Sequence, residues 1–294
     1  MQRVEAELSR LVGEVGYQKA EELFKKLSGG KRLRAKLILK IANDNPKAPL
    51  LGAIVELIHA ASLLHDDVID DAMLRRGKPS VNATHGSKTA VMLGDILYSK
   101  AYGELVAFGS EIAKTIANAV TMLSVGEMMD VDMAETFNTD ENTYMEMLYL
   151  KTATLIEASA KSSALLVGKD PKAYALYGKN LGLSFQIIDD ILDITSDEKT
   201  LGKPAMNDFT EGKATLPYIY LYHQLKESEK QRVASYHRKK LTQEEIAWMQ
   251  QQMQQHAAIE KAYTLAKKLS EEAKDAVEEN TLHAILDTML QRSF

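Results

Sequence analysis

Two clusters of aspartates are the residues in this chain most capable of chemistry. The first cluster, in "LLHDDVIDDAMLRRGKPS" (63–80), contains Asp66, Asp67, Asp70 and Asp71. Residues four apart share a face of a helix, so Asp66 pairs with Asp70 and Asp67 with Asp71. Like charges at this spacing cost about 0.2–0.5 kcal/mol per pair, and neighbouring apolar residues raise the cost. The cluster indicates either a cation bound by carboxylates or a solvated helix end neutralised by the basic residues that follow.

A second cluster favours the cation. "SFQIIDDILDITSD" (184–197) contains Asp189, Asp190 and Asp193, again among apolar residues, with Asp189 and Asp193 four apart. Ligand sets made only of oxygen suit hard cations, of which Mg²⁺ typically joins one or two carboxylates to a substrate phosphate. Two such helices predict a diphosphate held between them by a small metal cluster.

Basic side chains supply the complementary charge, because arginine binds phosphate bidentately and lysine adds a point charge. The candidates are Lys31, Arg32, Arg34, Arg75, Arg76, Lys151, Lys203 and Lys213. Each alone is more often a solvated surface residue, and for Arg32 and Lys213 this interpretation stays open. Lys151 and Thr152 differ, since the segments around them are apolar enough to be buried.

Composition limits the classes of protein. The chain has 294 residues, a formal net charge of −5 and no cysteine. The charge gives no support to a nucleic-acid binder, and disulfides and cysteine-ligated zinc are excluded. The N-terminal segment lacks the apolar core of a signal peptide, and no apolar run reaches about 18 residues. We therefore expect a cytoplasmic protein without stable membrane insertion.

Apolar residues recur mostly at spacings of three and four, which predicts helices. The predicted helices are 1–27, 33–44, 50–71, 88–108, 110–136, 140–168, 171–196, 213–225, 228–237, 242–255, 256–276 and 279–292. Asp170 before Pro171 predicts a helix start, and Thr242 with Glu245 predicts a capping box. No linker divides the chain, so we expect one all-α domain, 1–294, of long antiparallel helices.

These stretches together resemble the trans-isoprenyl diphosphate synthases, the polyprenyl synthetase family. The resemblance is carried by "GGKRLR", "ELIHAASLLHDDVIDDAMLRRGKPSVN", "GDILYSKAY", "LKTATLIEAS", "FQIIDDILDITSD" and "GKPAMNDFTEGKATLPYIY". It implies the isoprenoid synthase fold, a helical bundle around a central cavity, and a homodimer. One departure is Ala35, where the family usually has proline.

The resemblance implies a head-to-tail condensation. Isopentenyl diphosphate attacks an allylic diphosphate, pyrophosphate leaves and accepts the final proton, and a new trans double bond forms. By position, the implied Mg²⁺ ligands are Asp66, Asp70 and Asp189, supported by Asp67 and Asp193. The implied allylic diphosphate site consists of Arg75, Lys151, Thr152, Gln186 and Lys203. The implied isopentenyl diphosphate site consists of Lys31, Arg34, His59 and Arg76.

Product length is expected to depend on the helix before Asp66. Each turn rises about 5.4 Å, comparable with one isoprene unit. Ser62 and Ala61 lie one turn before Asp66 and are small, and Ile58 and Val55 on the next turns are too small to close a tunnel. We expect products longer than C20, about seven or eight isoprene units, such as those used for quinone side chains. A facing methionine is expected to set the end of the tunnel, with these candidates: Met122, Met129 and Met133.

Several alternatives remain open at this point. A short-chain farnesyl or geranylgeranyl synthase and the catalytic subunit of a heteromeric synthase share the same motifs. A class I terpene cyclase also has an aspartate-rich helix, but its second metal motif is usually of the Asn/Ser/Glu type. A carboxylate-bridged di-iron bundle would use Glu56 and His59, but the chain has no second Glu-x-x-His element. A silent partner subunit would be expected to have lost some aspartates.

Overall fold

The structure is a computed structural model that describes residues 1–27, 30–195 and 205–291. Helices account for nearly all of its regular structure. In chain order they are α1 (Gln2–Gly13), α2 (Gln18–Lys26), α3 (Leu33–Ala42), α4 (Ala48–Ile69), α5 (Val81–His85), α6 (Ser87–Leu105), α7 (Gly109–Ala134), α8 (Glu141–Leu148), α9 (Thr154–Val167), α10 (Pro171–Thr195), α11 (Asn207–Thr210), α12 (Leu216–Gln224), α13 (Glu227–Tyr236), α14 (Gln243–Gln255), α15 (Ala258–Ala276) and α16 (Asn280–Leu290). A 3₁₀ turn covers Val106–Phe108, and a π-helical turn, Tyr149–Ala153, joins α8 to α9. The all-α prediction is confirmed.

Departures from the predicted helix bounds have local causes. The predicted helix 1–27 is wrong as one element, because the chain turns between α1 and α2 with Gly16 at φ 71°. The predicted start at 256 is two residues too early, since Ala257 has φ 48° and the helix begins after it. Both predicted helix starts are confirmed: Asp170 Oδ1 accepts the Lys172 N–H at 2.9 Å, and the Thr242–Glu245 capping box forms.

The chain divides into two compact units. Unit 1 comprises Met1–Val120 and Leu155–Ala175, and unit 2 comprises Thr121–Thr154 and Leu176–Phe294. The first aspartate motif therefore belongs to unit 1 and the second to unit 2. A single domain over 1–294 stays a prediction.

Helix α4 is the centre of unit 1, packed against α1, α3 and α6. Its apolar side chains, among them Leu51, Ile54 and Leu57, are fully buried, and each contributes about 1.5–3 kcal/mol relative to exposure. Among the described helices, α4 alone is long and apolar enough to span a membrane by composition, which the sequence interpretation did not expect. However, 72% of its most apolar window is buried, so this composition is that of a core helix.

The core of unit 2 is formed by apolar faces of α10, α12, α14 and α15 together with the segment around Phe209. The rings of Phe209 and Tyr218 stack with centroids 4.3 Å apart. Ile187, Ile188 and Ile191 of α10 are completely buried in this cluster. These isoleucines flank the second aspartate motif in sequence, so their burial holds the motif in place on α10.

Candidate active site

The first aspartate motif lies where α4 ends. The Asp70 N–H donates to the Asp66 carbonyl at 2.8 Å, so Asp70 lies one helical turn from Asp66. Asp71 has φ 48°, and the Ala72 N–H donates to the Asp67 carbonyl at 2.9 Å, a helix-ending pattern of the Schellman type. The predicted pairing of Asp67 with Asp71 on one face is therefore wrong, because Asp71 has left the helix.

Asp67 is the buried member of this motif. It is 2% exposed, and its Oδ1 accepts a hydrogen bond from Arg75 Nε at 2.6 Å and lies 2.5 Å from Arg75 Nη2. Burying an unpaired carboxylate would be costly, so this ion pair stabilises the end of α4. The structure thus pairs a predicted metal ligand with a residue predicted to contact the allylic diphosphate. Both roles stay predictions.

A short hairpin carries the basic residues that follow. Leu74–Arg75 pairs antiparallel with Lys78–Pro79, and the turn residues Arg76 and Gly77 have φ 53° and 72°, as a tight type I′ turn requires. A Cβ atom on Gly30 would lie 2.9 Å from Arg76 Nη1. The missing side chain at Gly30 therefore lets the Arg76 guanidinium approach the "GGKRLR" turn.

His59 is surrounded by positive charge. Burial lowers the pKa of His59 well below its usual range, and the charges of Arg34, Arg76, Arg75 and Arg32 lower it further. The imidazole is therefore neutral at pH 7. The structure thus brings together three of the four residues predicted for the isopentenyl diphosphate site, namely Arg34, His59 and Arg76. The fourth, Lys31, belongs to the same unit and is exposed.

Glu56, one turn before His59, was considered from sequence only as part of a di-iron element, and it was given no role in the synthase site. It is 3% exposed; its Oε1 accepts the Ala35 N–H at 3.1 Å, and its Oε2 lies 3.4 Å from Arg32 Nη1. A proline at position 35, usual in the family, has no N–H to donate. Burial lowers the pKa of Arg34, and the charge of Glu56 opposes that effect. A carboxylate within the apolar stripe of α4 was the available signal.

The predicted chain-length positions are all buried on α4. Val55, Ile58 and Ala61 have no exposed surface, and the Ser62 hydroxyl donates to the His59 carbonyl at 2.9 Å. Among the candidate facing methionines, Met122 is 40% exposed, whereas Met129 and Met133 pack against the core of unit 2. Their roles stay predictions.

The second aspartate motif lies on α10, and its three carboxylates have different surroundings. Asp189 is half-buried, whereas Asp190 and Asp193 are 3% and 2% exposed. Asp193 Oδ2 accepts the Asp208 N–H at 3.1 Å, and its carbonyl accepts the Met206 N–H at 2.8 Å. Asp193 therefore fastens the start of α11 to the motif, and its metal-binding role stays a prediction.

Asp190 belongs to a hydrogen-bond network. The Tyr144 hydroxyl donates to Asp190 Oδ2 in a short hydrogen bond, and Gln186 Nε2 donates to Asp190 Oδ1 at 3.0 Å. Gln186 Oε1 also lies 3.4 Å from the Thr152 hydroxyl, so two residues predicted for the allylic diphosphate site meet here. Burial raises the pKa of Asp190 to about 8, and the charge of Asp208 contributes, against the opposing hydrogen bonds.

We expect Asp190→Asn to remove part of the pH dependence of stability. Between about pH 4 and 8 the folded protein keeps a proton on Asp190 that the unfolded chain releases, so rising pH costs about 1.4 kcal/mol per unit. Asparagine has no such proton. Urea unfolding of both proteins in metal-free buffer at several pH values in this window measures the difference. Equal pH dependence of the free energy of unfolding in both proteins would contradict a raised pKa for Asp190.

Lys151 lies in the π-helical turn, a feature often found at functional sites. Its Nζ lies 2.5 Å from Asp130 Oδ2 and 2.8 Å from Glu127 Oε2, both on α7. A Cβ on Gly126 would lie 2.3 Å from the Lys151 backbone nitrogen, so a glycine is required where α7 passes this turn. The sequence analysis gave Glu127 and Asp130 no role, although two acids three apart marked one polar face of α7.

Two predicted basic residues remain. Lys213 Nζ pairs with Glu211 Oε2 at 3.1 Å. Lys203, predicted for the allylic diphosphate site, lies outside the described residues.

The donor set fits Mg²⁺. The candidate ligands offer only carboxylate oxygens, which hard cations prefer. In the part of the chain that the structure describes, no three metal-binding side chains form a complete site.

Comparisons with known proteins agree with this geometry. The family model described as polyprenyl synthetase matches residues 17–254. Octaprenyl pyrophosphate synthase from Helicobacter pylori is 44% identical with a TM-score of 0.92, covering 99% of this chain and 97% of that one. Geranylgeranyl pyrophosphate synthetase from Pyrococcus horikoshii is 29% identical with a TM-score of 0.89, covering 99% and 94%. A short chain isoprenyl diphosphate synthase from Methanothermobacter thermautotrophicus is 36% identical over 80% of this chain and 75% of its own length. The chain therefore belongs to the polyprenyl synthetase family of trans-prenyltransferases.

Proposed function

We propose that this protein is a Mg²⁺-dependent synthase that adds isopentenyl diphosphate head-to-tail to an allylic diphosphate, making an all-trans polyprenyl diphosphate longer than C20. The observation that carries the proposal is the layout of α4 in unit 1. One helix combines a buried apolar stripe, a neutral His59 among arginines, and carboxylates at its C-terminal end. This order of features along α4 suits a substrate with a hydrocarbon tail and a charged diphosphate head.

The acidic residues and the basic residues have different proposed roles in the reaction. An allylic C–O bond breaks with its electron pair leaving on the diphosphate, so groups that stabilise that charge lower the barrier. Bound Mg²⁺ would supply much of this stabilisation, held by Asp66, Asp70 and Asp189 with Asp67 and Asp193 in support. Lys151, Thr152, Gln186, Arg75 and Lys203 bind the departing diphosphate.

The second substrate has its own charged subsite. Lys31, Arg34, His59 and Arg76 bind isopentenyl diphosphate, and Glu56 holds the turn that carries Arg34. The π-bond of this substrate attacks the allylic carbon, so no protein nucleophile is required. The buried side chains of α4 exclude water, which would otherwise capture the allylic cation.

Product sizing tests the proposal. The purified protein is incubated with a short allylic diphosphate, isopentenyl diphosphate and Mg²⁺, and the prenyl products are separated by length. We expect polyprenyl products of about seven or eight isoprene units, as counted from helical turns. Products that stop at C15 or C20 would favour the short-chain alternative, and no product without a second protein would favour a heteromeric synthase.

We expect substitutions in the two subsites to separate the substrates. Arg34→Ala and His59→Ala should raise the KM for isopentenyl diphosphate about tenfold or more, since a lost charged contact costs about 1.5–3 kcal/mol. Lys151→Ala should do the same for the allylic diphosphate. Steady-state kinetics with each substrate varied in turn measures both constants. Equal changes in both KM values for every variant would refute separate subsites.

The assembly proposed is a homodimer in the cytoplasm, without membrane insertion. Helix α7 supports a dimer because it exposes a row of apolar side chains at spacings of three. These side chains are Met122, Val125, Met128 and Val131, exposed by 40%, 40%, 69% and 43%. Exposed apolar rows of this kind mark protein interfaces. Sedimentation of the purified protein measures the oligomeric state.

A further inference from the structure

The acid pair beside Lys151 has no part in the function as proposed so far. Glu127 and Asp130 are 6% and 7% exposed, and both are on α7, three residues apart. Both carboxylates reach the same ammonium, at 2.8 and 2.5 Å, while the Lys151 side chain is 23% exposed. Two buried acids around one lysine bring a net negative charge into a region proposed to bind an anion, so the arrangement requires an explanation.

The geometry of the Lys151 ammonium suggests an explanation. A lysine ammonium has three N–H donors and rotates freely about its last bond. The ammonium donates a hydrogen bond to Asp130 Oδ2 and forms an ion pair with Glu127 Oε2 that lacks hydrogen-bond geometry. These two contacts restrict that rotation and leave N–H donors for a further acceptor. Gly126 lets α7 approach the backbone of Lys151, so both acids and the lysine are held on closely packed elements.

We infer that Glu127 and Asp130 are positioning residues that hold the Lys151 ammonium charged and aim its remaining N–H donors at the allylic diphosphate. This inference rests on the proposed function. It gives Glu127 and Asp130 an indirect role in binding the allylic diphosphate, because they orient the lysine that contacts it. A side chain fixed before binding loses less rotamer entropy when the substrate arrives.

Electrostatics agrees with the geometry. Burial is the largest influence on the pKa of Lys151 and lowers it, and the charge of Lys213 acts in the same direction. The charges of Asp130 and Glu127 outweigh both effects, so the pKa of Lys151 lies above its usual range. Without the acids, a buried lysine shifts towards neutrality.

The experiment uses Glu127→Gln and Asp130→Asn, separately and together, since each keeps the shape and removes the charge. Asp132→Asn is the matched control, because Asp132 is exposed on the same helix. We expect the KM for the allylic diphosphate to rise at least tenfold in the double variant and the KM for isopentenyl diphosphate to change less than twofold. We also expect kcat/KM for the allylic substrate to fall between about pH 7 and 9.5 in the double variant but not in the wild type.

Other outcomes are equally defined. If the double variant does not fold, as judged by circular dichroism, the single Glu127→Gln variant carries the same test. Unchanged allylic kinetics and an unchanged pH profile in an active, folded variant would overturn the inference, as would equal increases in both KM values. A wild-type protein that forms no prenyl product with either substrate concentration raised would instead overturn the proposed function.

Discussion

Asp66→Ala and Asp189→Ala are each expected to reduce turnover about 10³-fold or more. Each substitution removes a proposed metal ligand, and metal ions contribute several kcal/mol to stabilising a departing diphosphate, at about 1.4 kcal/mol per factor of ten. EDTA should abolish wild-type activity, and added Mg²⁺ should restore it. Product formation with radiolabelled isopentenyl diphosphate measures all three effects.

The matched control is Asp71→Ala. Asp71 belongs to the same motif but is exposed and has left the helix, so its removal should change turnover less than threefold, about 0.6 kcal/mol. The free energy of unfolding of Asp66→Ala should stay within about 0.5 kcal/mol of the wild-type value or rise, since one carboxylate repulsion is removed. Full activity of either ligand variant, or of the wild type in metal-free buffer, would exclude the metal mechanism.

Ala61→Phe is expected to shorten the products from about seven or eight isoprene units to roughly C15–C20, because each helical turn spans about one isoprene unit. Ala61 has no exposed surface, and it lies just over one turn before Asp66 on α4. A ring at this position should block the proposed tunnel and leave the diphosphate chemistry intact. Chromatographic sizing of the dephosphorylated products measures the change.

The control for this substitution is Ala60→Phe. Residue 60 is one position away, so a phenylalanine ring there points about 100° around the helix axis from a ring at position 61. Overpacking a buried position costs about 1–3 kcal/mol, so the thermal stability of both variants is compared with the wild type. We expect the products of Ala60→Phe to keep the wild-type length. An unchanged product distribution in folded Ala61→Phe would show that the tail does not pass this face of α4.

Local sequence patterns predicted the helices well where the pattern was unbroken. Spacings of three and four predicted α4, α6, α7 and α10 to within a few residues, because burying one apolar stripe decides a helix. The break between α1 and α2 was missed, and the start of α15 was predicted two residues too early. In both places the chain turns at a residue with positive φ, a backbone feature that apolar spacing does not report.

The composition of the site also followed from sequence. Two aspartate motifs with basic residues beside them indicated a metal-assisted diphosphate chemistry, since few other groupings justify so many like charges next to apolar helices. The family comparison confirms the class of enzyme. The family does not fix the length of the product, since the chain is similar both to a relative named for short products and to one named an octaprenyl synthase.

Sequence by itself determined which residue types share a helix face, and hence the all-α fold and the inventory of charged groups. Only the tertiary structure decided the partners and the protonation of those groups. Asp67 of α4 pairs with Arg75 of the hairpin, and Lys151 contacts two acids more than twenty residues away. Burial raises the pKa of Asp190 to about 8. The reason is physical: helical spacing is set by neighbours along the chain, whereas ion pairing and desolvation depend on residues distant in sequence.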